Sequence, residues 1–434
     1  MTAAQYDPAA EVVELCSELI RIDTSNFGDS SGPGERSAAE RVAELLDEVG
    51  IETEIVESEK GRASVLARWG GDQGDPILLH GHLDVVPAQA EDWQIHPFSG
   101  EVRDDYVWGR GAVDMKDFDA ILLSTIRARA TAGAVPQRPL LLCFTADEEA
   151  GGVKGAGWLA RERRDWFEGA TAAVGEVGGF SATIAGQRMY MIQAAEKGMA
   201  WLRLTADGQA GHGSMQHPDN PVTRLAGAVE RIGQHRWPVH LTPTMEIFLA
   251  AVGAAAGVEV TPLNVEELIK ESGPAARMLG AVIRNTANPT RLEAGYKVNV
   301  VPGQARAWID GRFLPDQQDD FLATIAELVG PGITVEPETL LPAVENPYDG
   351  PVADVITESL LAEDPDAIVV PYLMSGGTDG KYWADLGMQV FGFAPLQLPP
   401  DLDFTSLFHG VDERVPVEGL KFGARVFDRF LSGL

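Results

Sequence analysis

Two imidazoles and a set of carboxylates stand at the ends of apolar runs in this chain of 434 residues, and these are side chains that hold divalent cations. The stretch Pro76-Ile-Leu-Leu-His-Gly-His-Leu-Asp-Val-Val-Pro87 reads as a buried strand that delivers His82 and, two residues on, Asp84. Period-two alternation predicts both side chains on one face, where a carboxylate can orient a metal-binding ring and raise its basicity. His80 shares that face and is the alternative ligand. Asp114 follows Gly109-Arg-Gly-Ala-Val, the pair Glu148-Glu149 follows the apolar run Pro139–Thr145, and Glu176 follows Ala172–Gly175. His409 lies in Leu407-Phe-His-Gly-Val-Asp-Glu413. This N/O donor set suits zinc, with manganese or cobalt as substitutes. Two metals about 3.5–4 Å apart need one bridging carboxylate and two terminal ligands each, which leaves one carboxylate to act as base on a bridging water. Adjacent Glu148 and Glu149 suit that division, because neighbouring side chains leave the backbone in different directions.

Apolar strands alternating with helices position these groups. Helices are predicted over Ala9–Arg21, Ser37–Val49, Lys116–Ala132 and Trp158–Phe167, and strands over Glu52–Glu57, Ala63–Trp69, Ile77–Asp84, Pro139–Thr145 and Ala172–Gly175. Acids at the carboxyl ends of strands are where an open α/β sheet places its active site. The rhythm changes near Ala195, with a half-exposed strand Gly198–Ala206, Gly211-His-Gly-Ser214, a helix from Pro221 to Gln234, and strands Lys297–Val301 and Ala305–Phe313. From Asp316 the first rhythm returns, through a helix to Leu328 and a strand Ile333–Glu336, to a final helix from Val417. The expected architecture is a central mixed α/β sheet flanked by helices, built from residues 1–194 and 314–434, with an inserted α+β domain over 195–313.

Size and charge narrow the partners. The chain is long enough for two cores, and its composition (45% apolar, 23% charged) is globular. Its 34 basic against 65 acidic residues give a net charge of −31, which repels phosphate backbones, so nucleic acid and anionic membranes are excluded as expected partners. Cys16 and Cys143 lie in apolar stretches and read as small buried hydrophobes, not as a disulfide framework. No apolar run reaches about 18 residues, and Met1–Asp7 lacks the features of an export signal, so the cytoplasm is the expected compartment. Gly109-Arg-Gly is not a dinucleotide fingerprint, since Asp114 stands where its third Gly belongs.

Taken together, Gly81-His-Leu-Asp-Val-Val-Pro87, Gly109-Arg-Gly-Ala-Val-Asp-Met-Lys116, Asp147-Glu-Glu149 and Ser375-Gly-Gly-Thr-Asp379 resemble the dinuclear zinc exopeptidases and deacylases. That family includes aminoacylase, succinyl-diaminopimelate desuccinylase, acetylornithine deacetylase, carnosine dipeptidase and glutamate carboxypeptidase. The resemblance covers nearly the whole chain and implies two Zn2+ per chain. His82 and Glu176 would hold one metal, Glu149 and His409 the other, with Asp114 bridging, Asp84 orienting His82 and Glu148 as general base. It further implies that the inserted domain is a lid through which the chain forms a homodimer, His212 polarising the scissile carbonyl in the partner's site. Asn299, Arg312, Gly377 and Thr378 resemble the groups that hold the substrate's carboxylate, a task suited to the planar fork of an Arg. The departures are Gly213 after His212, where Ser is frequent, and a longer helical stretch over Thr242–Asn288. The implied activity is hydrolysis of an amide or peptide bond beside a free carboxylate, in a small peptide or an N-acyl amino acid. Aminopeptidase activity, and a metal-binding homologue without catalysis, are the alternatives.

Overall fold

The computed structural model describes residues 6–261, 264–271 and 276–434. The chain opens with α1 (Val12–Arg21) and α2 (Arg36–Asp47), whose apolar stripes are buried, then β1 (Thr53–Glu57), β2 (Ala63–Gly70) and β3 (Ile77–His82). Next come β4 (Glu101–Arg103), β5 (Tyr106–Trp108), α3 (Lys116–Ala132), β6 (Pro139–Thr145), α4 (Ala156–Glu162) and β7 (Ala172–Gly175). Strand β3 is buried along its whole length, as its unbroken apolar run requires of a strand covered on both faces. Helix α3 stops at Gly133, which takes the left-handed conformation (φ 71°) that closes a helix cheaply only for glycine.

A hairpin the apolar pattern did not reveal, β8 (Phe180–Ile184) and β9 (Gln187–Glu196), leads to β10 (Gly198–Asp207) and the short β11 (Gly211–His212). Then follow α5 (Pro221–Gln234), α6 (Pro243–Ala256), α7 (Val265–Glu271), α8 (Ala276–Val282), β12 (Thr286–Ala294), β13 (Val300–Val301) and β14 (Gln304–Phe313). The last third holds α9 (Gln318–Val329), β15 (Ile333–Leu341), β16 (Val344–Glu345), α10 (Pro351–Glu363), β17 (Ile368–Met374), α11 (Gly380–Asp385), β18 (Gln389–Gly392), β19 (Arg414–Pro416) and α12 (Val417–Gly433).

Among the described residues, ten strands form the larger sheet, ordered β1-β2-β6-β3-β7-β18-β9-β16, with β8 and β17 also on β9. It is mixed: β3 runs parallel to β6 and β7, and β18 parallel to β7, whereas β1, β2 and β6 pair antiparallel. The two ends of the chain thus build one sheet. A second, antiparallel sheet has the order β12-β14-β10-β15. The chain passes from one sheet to the other at Lys197, between β9 and β10. Gly198 is needed there, because a Cβ would lie 2.1 Å from the ring of Phe313.

Two parts of the expected division are corrected. Helix α9 and strand β15, expected in the larger sheet, belong to the smaller one: β15 pairs antiparallel with β10, and Phe321, Ile325 and Val329 share a core with Leu202, Leu225 and Ile309. Conversely, α6 to α8 fall inside the range assigned to the insertion, yet Phe248, Leu249, Val252, Ile269 and Leu279 pack in the core of the larger sheet. The stretch Thr242–Asn288 holds α6, α7 and α8 and ends in β12, and residues 262–263 and 272–275 of it lie outside the described residues. The strand expected over Lys297–Val301 contracts to Val300–Val301. Amphipathic alternation specifies a buried face but not the sheet that buries it. Cys16 and Cys143 are buried and free. No helix among the described residues is long and apolar enough to cross a membrane.

Candidate active site: a two-metal cluster at the sheet's carboxyl edge

Each acid or imidazole expected in the cluster sits just beyond an apolar strand of the larger sheet or in a loop that adjoins the paired strands β5 and β19. His82 ends β3, Glu148 and Glu149 follow β6, and Glu176 follows β7, three neighbouring parallel strands. Asp114 lies between β5 and α3, and its peptide to Met115 is cis. His409 lies between β18 and β19. Three residues here carry side chains at positive φ: Asp147 (69°), Val177 (52°) and His409 (58°). Such backbone persists only where surrounding contacts enforce it, and here it flanks Glu148 and Glu176 and carries the second imidazole.

The ligand atoms converge in two groups of three that share Asp114: His82, Asp114 and Glu176, and then Asp114, Glu149 and His409. His82 Nε2 is 3.1 Å from Asp114 Oδ1 and 3.0 Å from Glu176 Oε2. His409 Nε2 is 3.2 Å from Asp114 Oδ2 and 3.1 Å from Glu149 Oε2. One oxygen of Asp114 thus faces each imidazole, the arrangement of a bridging carboxylate. Glu148 belongs to neither triad; its nearest oxygen is 3.9 Å from His82 Nε2 and it lines the adjoining cavity. His80 turns away from the cluster, packing edge-on against Trp383 with its ring buried, and burial lowers its pKa to about 3.

These residues fit a divalent cation on chemical grounds. His82 Nδ1 is 2.9 Å from the main-chain carbonyl of Asp84, so in a neutral ring Nδ1 carries the proton and Nε2 presents its lone pair to two carboxylates. Glu176 Oε2 is buried without a hydrogen-bond partner. Lone pairs crowded on one point need a proton or a metal between them. Protonation tendencies say the same. Burial opposes a charge on His82, but Glu176, Asp114 and Glu148 outweigh it and push its pKa well above the histidine range. His409 is raised to about 10 by its hydrogen bonds to Asp114 and Glu149. Burial, then the neighbouring Glu176, pushes the Glu148 carboxyl far up, and burial, then Asp114, raises Glu149 to about 7. Cations among these groups would relieve that repulsion.

Asp84 departs from its expected role. Its carboxylate lies 3.7 Å from His82 Nδ1, and the ring is held instead by the residue's own main-chain carbonyl. The buried carboxylate accepts from Glu148 N (3.0 Å), Glu149 N (3.1 Å) and Asn26 Nδ2 (2.8 Å). It therefore fixes the turn that carries the base and one ligand.

The cluster opens into a cavity of about 790 Å³ between the two sheets. Arg312 and Gly377 line it, together with the buried Lys197. Arg312 is held in a fork by Asp310, at 2.7 and 3.3 Å. Thr378 lines the cavity but offers it no donor, since its N–H (3.0 Å) and hydroxyl (2.7 Å) both go to Glu196 Oε2. That corrects its expected part in carboxylate capture. His212 and Asn299 do not line the cavity of their own chain. They are neighbours on the β11/β13 ribbon, where Gly213 N donates to Asn299 O (2.9 Å), and both are solvent-exposed or nearly so. Sequence reasoning missed Glu196, Lys197 and Asn26. The adjacent charges of Glu196-Lys197 inside the apolar run Met189–Leu204 were a usable signal, because charged side chains are seldom fully buried without dedicated partners.

The profile of peptidase family M20/M25/M40 matches residues 78–433. The chain is 27% identical over 445 aligned residues to the N-fatty-acyl-amino acid synthase/hydrolase PM20D1 of Xenopus tropicalis, covering 95% of this chain and 83% of that protein. It is 26% identical over 437 residues to aminoacylase-1 of Sus scrofa, covering 97% and 95%. The M20 metallo-carboxypeptidase Sso-CP2 of Sulfolobus solfataricus has the same fold, with a TM-score of 0.76 over 97% of this chain and 98% of that one at 19% identity. With two candidate ligand triads that share Asp114, the chain belongs to peptidase family M20/M25/M40 and is a metal-dependent peptide or amide hydrolase.

Proposed function

We propose that the chain hydrolyses N-acyl amino acids that carry a bulky apolar acyl group, releasing a free amino acid and a carboxylic acid. The observation that carries this is the cavity's mixed lining. Arg312 and Lys197 line it together with the apolar Phe180, Leu341, Tyr372, Met374 and Phe408, in the same space that Asp114, Glu149, Glu176 and His409 of the triads face. Arg312 suits a substrate carboxylate once that anion competes with Asp310, and the apolar lining suits an acyl chain. Similarity to an N-fatty-acyl-amino acid synthase/hydrolase and to aminoacylase-1 supports the same substrate class.

His82, Glu176, Asp114, Glu149 and His409 would hold two Zn2+, with Co2+ or Mn2+ as substitutes, and these cations supply Lewis acidity and an activated water. Glu148 takes a proton from the attacking water and passes it to the leaving nitrogen. Asp84 keeps that carboxylate in place by holding its main-chain N–H. His212 and Asn299 serve the cavity of a second copy in a homodimer. Tyr296 (84% exposed) and Val298 (103% exposed), on the loop that bears Asn299, are apolar groups whose burial would favour that pairing. The two buried free thiols suit a reducing compartment such as the cytoplasm.

The test is kcat/KM on zinc-loaded protein, with a chelated control, across N-acetyl to N-palmitoyl amino acids and a set of dipeptides. Each added methylene that the lining buries should raise kcat/KM by roughly fourfold (about 0.8 kcal/mol) until the lining is covered. Dipeptides cleaved faster than every long-chain acyl amino acid would overturn the acyl assignment.

A further inference from the structure

The two ligand triads are built on unequal supports. His82 and Glu176 are buried at the ends of adjacent core strands. Asp114 and His409 come from irregular loops, and the His409 side chain is about half exposed (53%). What joins those loops is a buried ion pair outside the cluster. Strand β5 pairs antiparallel with β19, and the ladder runs on through Gly109 N to Glu413 O at 3.0 Å. Beyond it, Arg110 Nη1 meets Glu413 Oε2 at 2.5 Å, with the two side chains 4% and 0% exposed. The other oxygen of Glu413 accepts from Val113 N (2.8 Å), one residue before Asp114. Arg110 Nη2 reaches the carbonyl of His409 itself at 3.4 Å, and its guanidinium lies over Trp93. His409 and Asp412 both carry positive φ (58° and 59°), so this loop holds its shape only while such contacts last.

We propose that Arg110 and Glu413 are positioning residues for one half of the cluster: their ion pair clamps the loop before Asp114 to the loop of His409, and so sets the affinity of the Asp114–Glu149–His409 site for its metal. Asp114 is also part of the other triad, but there it meets two ligands already fixed by core strands. The clamp therefore acts selectively. The fork geometry matters, since one guanidinium must serve both a carboxylate and a carbonyl, which a lysine ammonium on a flexible stem does poorly.

This inference rests on the two-metal assignment, and one experiment separates the two. Chelator-stripped protein is titrated with Co2+ by calorimetry, with metal content counted after dialysis. Wild type should bind two ions per chain; fewer than two would bring down the two-metal assignment and the clamp together. With two bound, Glu413→Gln and Arg110→Lys should each weaken one ion by about 10–100-fold and leave the other within about twofold, the range expected for partners behind a ligand. Combining Glu413→Gln with His409→Ala should cost the surviving ion nothing beyond His409→Ala alone, which identifies the affected site. Both ions weakening in parallel, or neither weakening, overturns the clamp. If a single variant leaves an unpaired buried charge and does not fold, the Arg110→Gln/Glu413→Gln double variant carries no such charge and decides the matter by the same ratio. Arg129→Met is the control. It breaks the Arg129–Asp428 pair (2.7 Å) about 20 Å along α3 from the cluster and should lower thermal stability without changing the ratio of the two affinities.

Discussion

Asp84→Asn separates two roles that a carboxylate beside a metal-binding histidine can have. If Asp84 acts through the His82 ring, its loss weakens one metal, and excess metal restores turnover. The distances favour the other role, because the carboxylate is 3.7 Å from Nδ1 but within 3.0 and 3.1 Å of the Glu148 and Glu149 amides. An amide in its place has a single acceptor oxygen. Set at the Oδ2 position, that oxygen keeps Asn26 and Glu149 and turns an NH2 toward Glu148 N–H; flipped, it keeps Glu148 alone. At least one charge-assisted hydrogen bond is lost at a fully buried site and one donor faces another, a destabilisation of about 2–4 kcal/mol. The Glu148 main chain then relaxes, and a displacement near 1 Å of a reacting group lowers the rate by roughly 10²-fold. The assay is kcat at saturating Zn2+ beside metal stoichiometry and thermal unfolding. The expected outcome is two metals bound, a lower Tm and a kcat that excess zinc does not recover. Recovery of wild-type kcat at high zinc would refute the anchoring role.

Further outcomes follow from the same geometry. Glu148→Ala should keep both metals, since Glu148 is in neither triad, while kcat falls by about 10²–10⁴-fold; substantial turnover would remove it as the base. Arg312→Ala should raise KM for substrates with a free carboxylate and leave their methyl esters unaffected, so an equal loss on both would refute carboxylate capture. In chelated protein, the His409 pKa raised to about 10 adds stability that is full below its ordinary 6.5 and is lost as pH climbs to about 10. Glu149, raised to about 7, favours the protonated folded state, so its contribution is present below its ordinary 4.5 and is lost as pH rises through about 7. Metal binding needs both groups deprotonated, so the Tm difference between loaded and chelated protein should widen from pH 5 to pH 9. A constant difference would rule out this linkage. Mixing inactive Glu148→Ala and His212→Ala chains should restore part of the activity if His212 works across a homodimer, whereas no recovery in proven mixed dimers would place it outside the reaction.

Much of this protein is written in short stretches of its sequence. Apolar runs that end in His82, in Glu148-Glu149 and in Glu176 announce strands and the groups they deliver, because burial must stop where a charge begins. The bounds of β6 and β7 were legible to the residue for that reason. The order of candidate ligands along the chain needed no coordinates either. Tertiary structure decided what depends on distant pairing. Which oxygen of Asp114 faces which imidazole, and the turning of His80 toward Trp383, follow from how β3, β6 and β7 lie beside the loops of Asp114 and His409. Asp84 was read correctly as a neighbour of His82, yet its carboxylate is drawn to amides more than sixty residues away. Thr378 was read as a donor to substrate, and Glu196, at the end of β9, accepts from both its N–H and its hydroxyl. Helix α9 and strand β15 carry the same alternation that either sheet could bury; only pairing with β10 placed them in the smaller one. Local pattern states what a segment must hide, and the partner that hides it is chosen by contacts no local window contains.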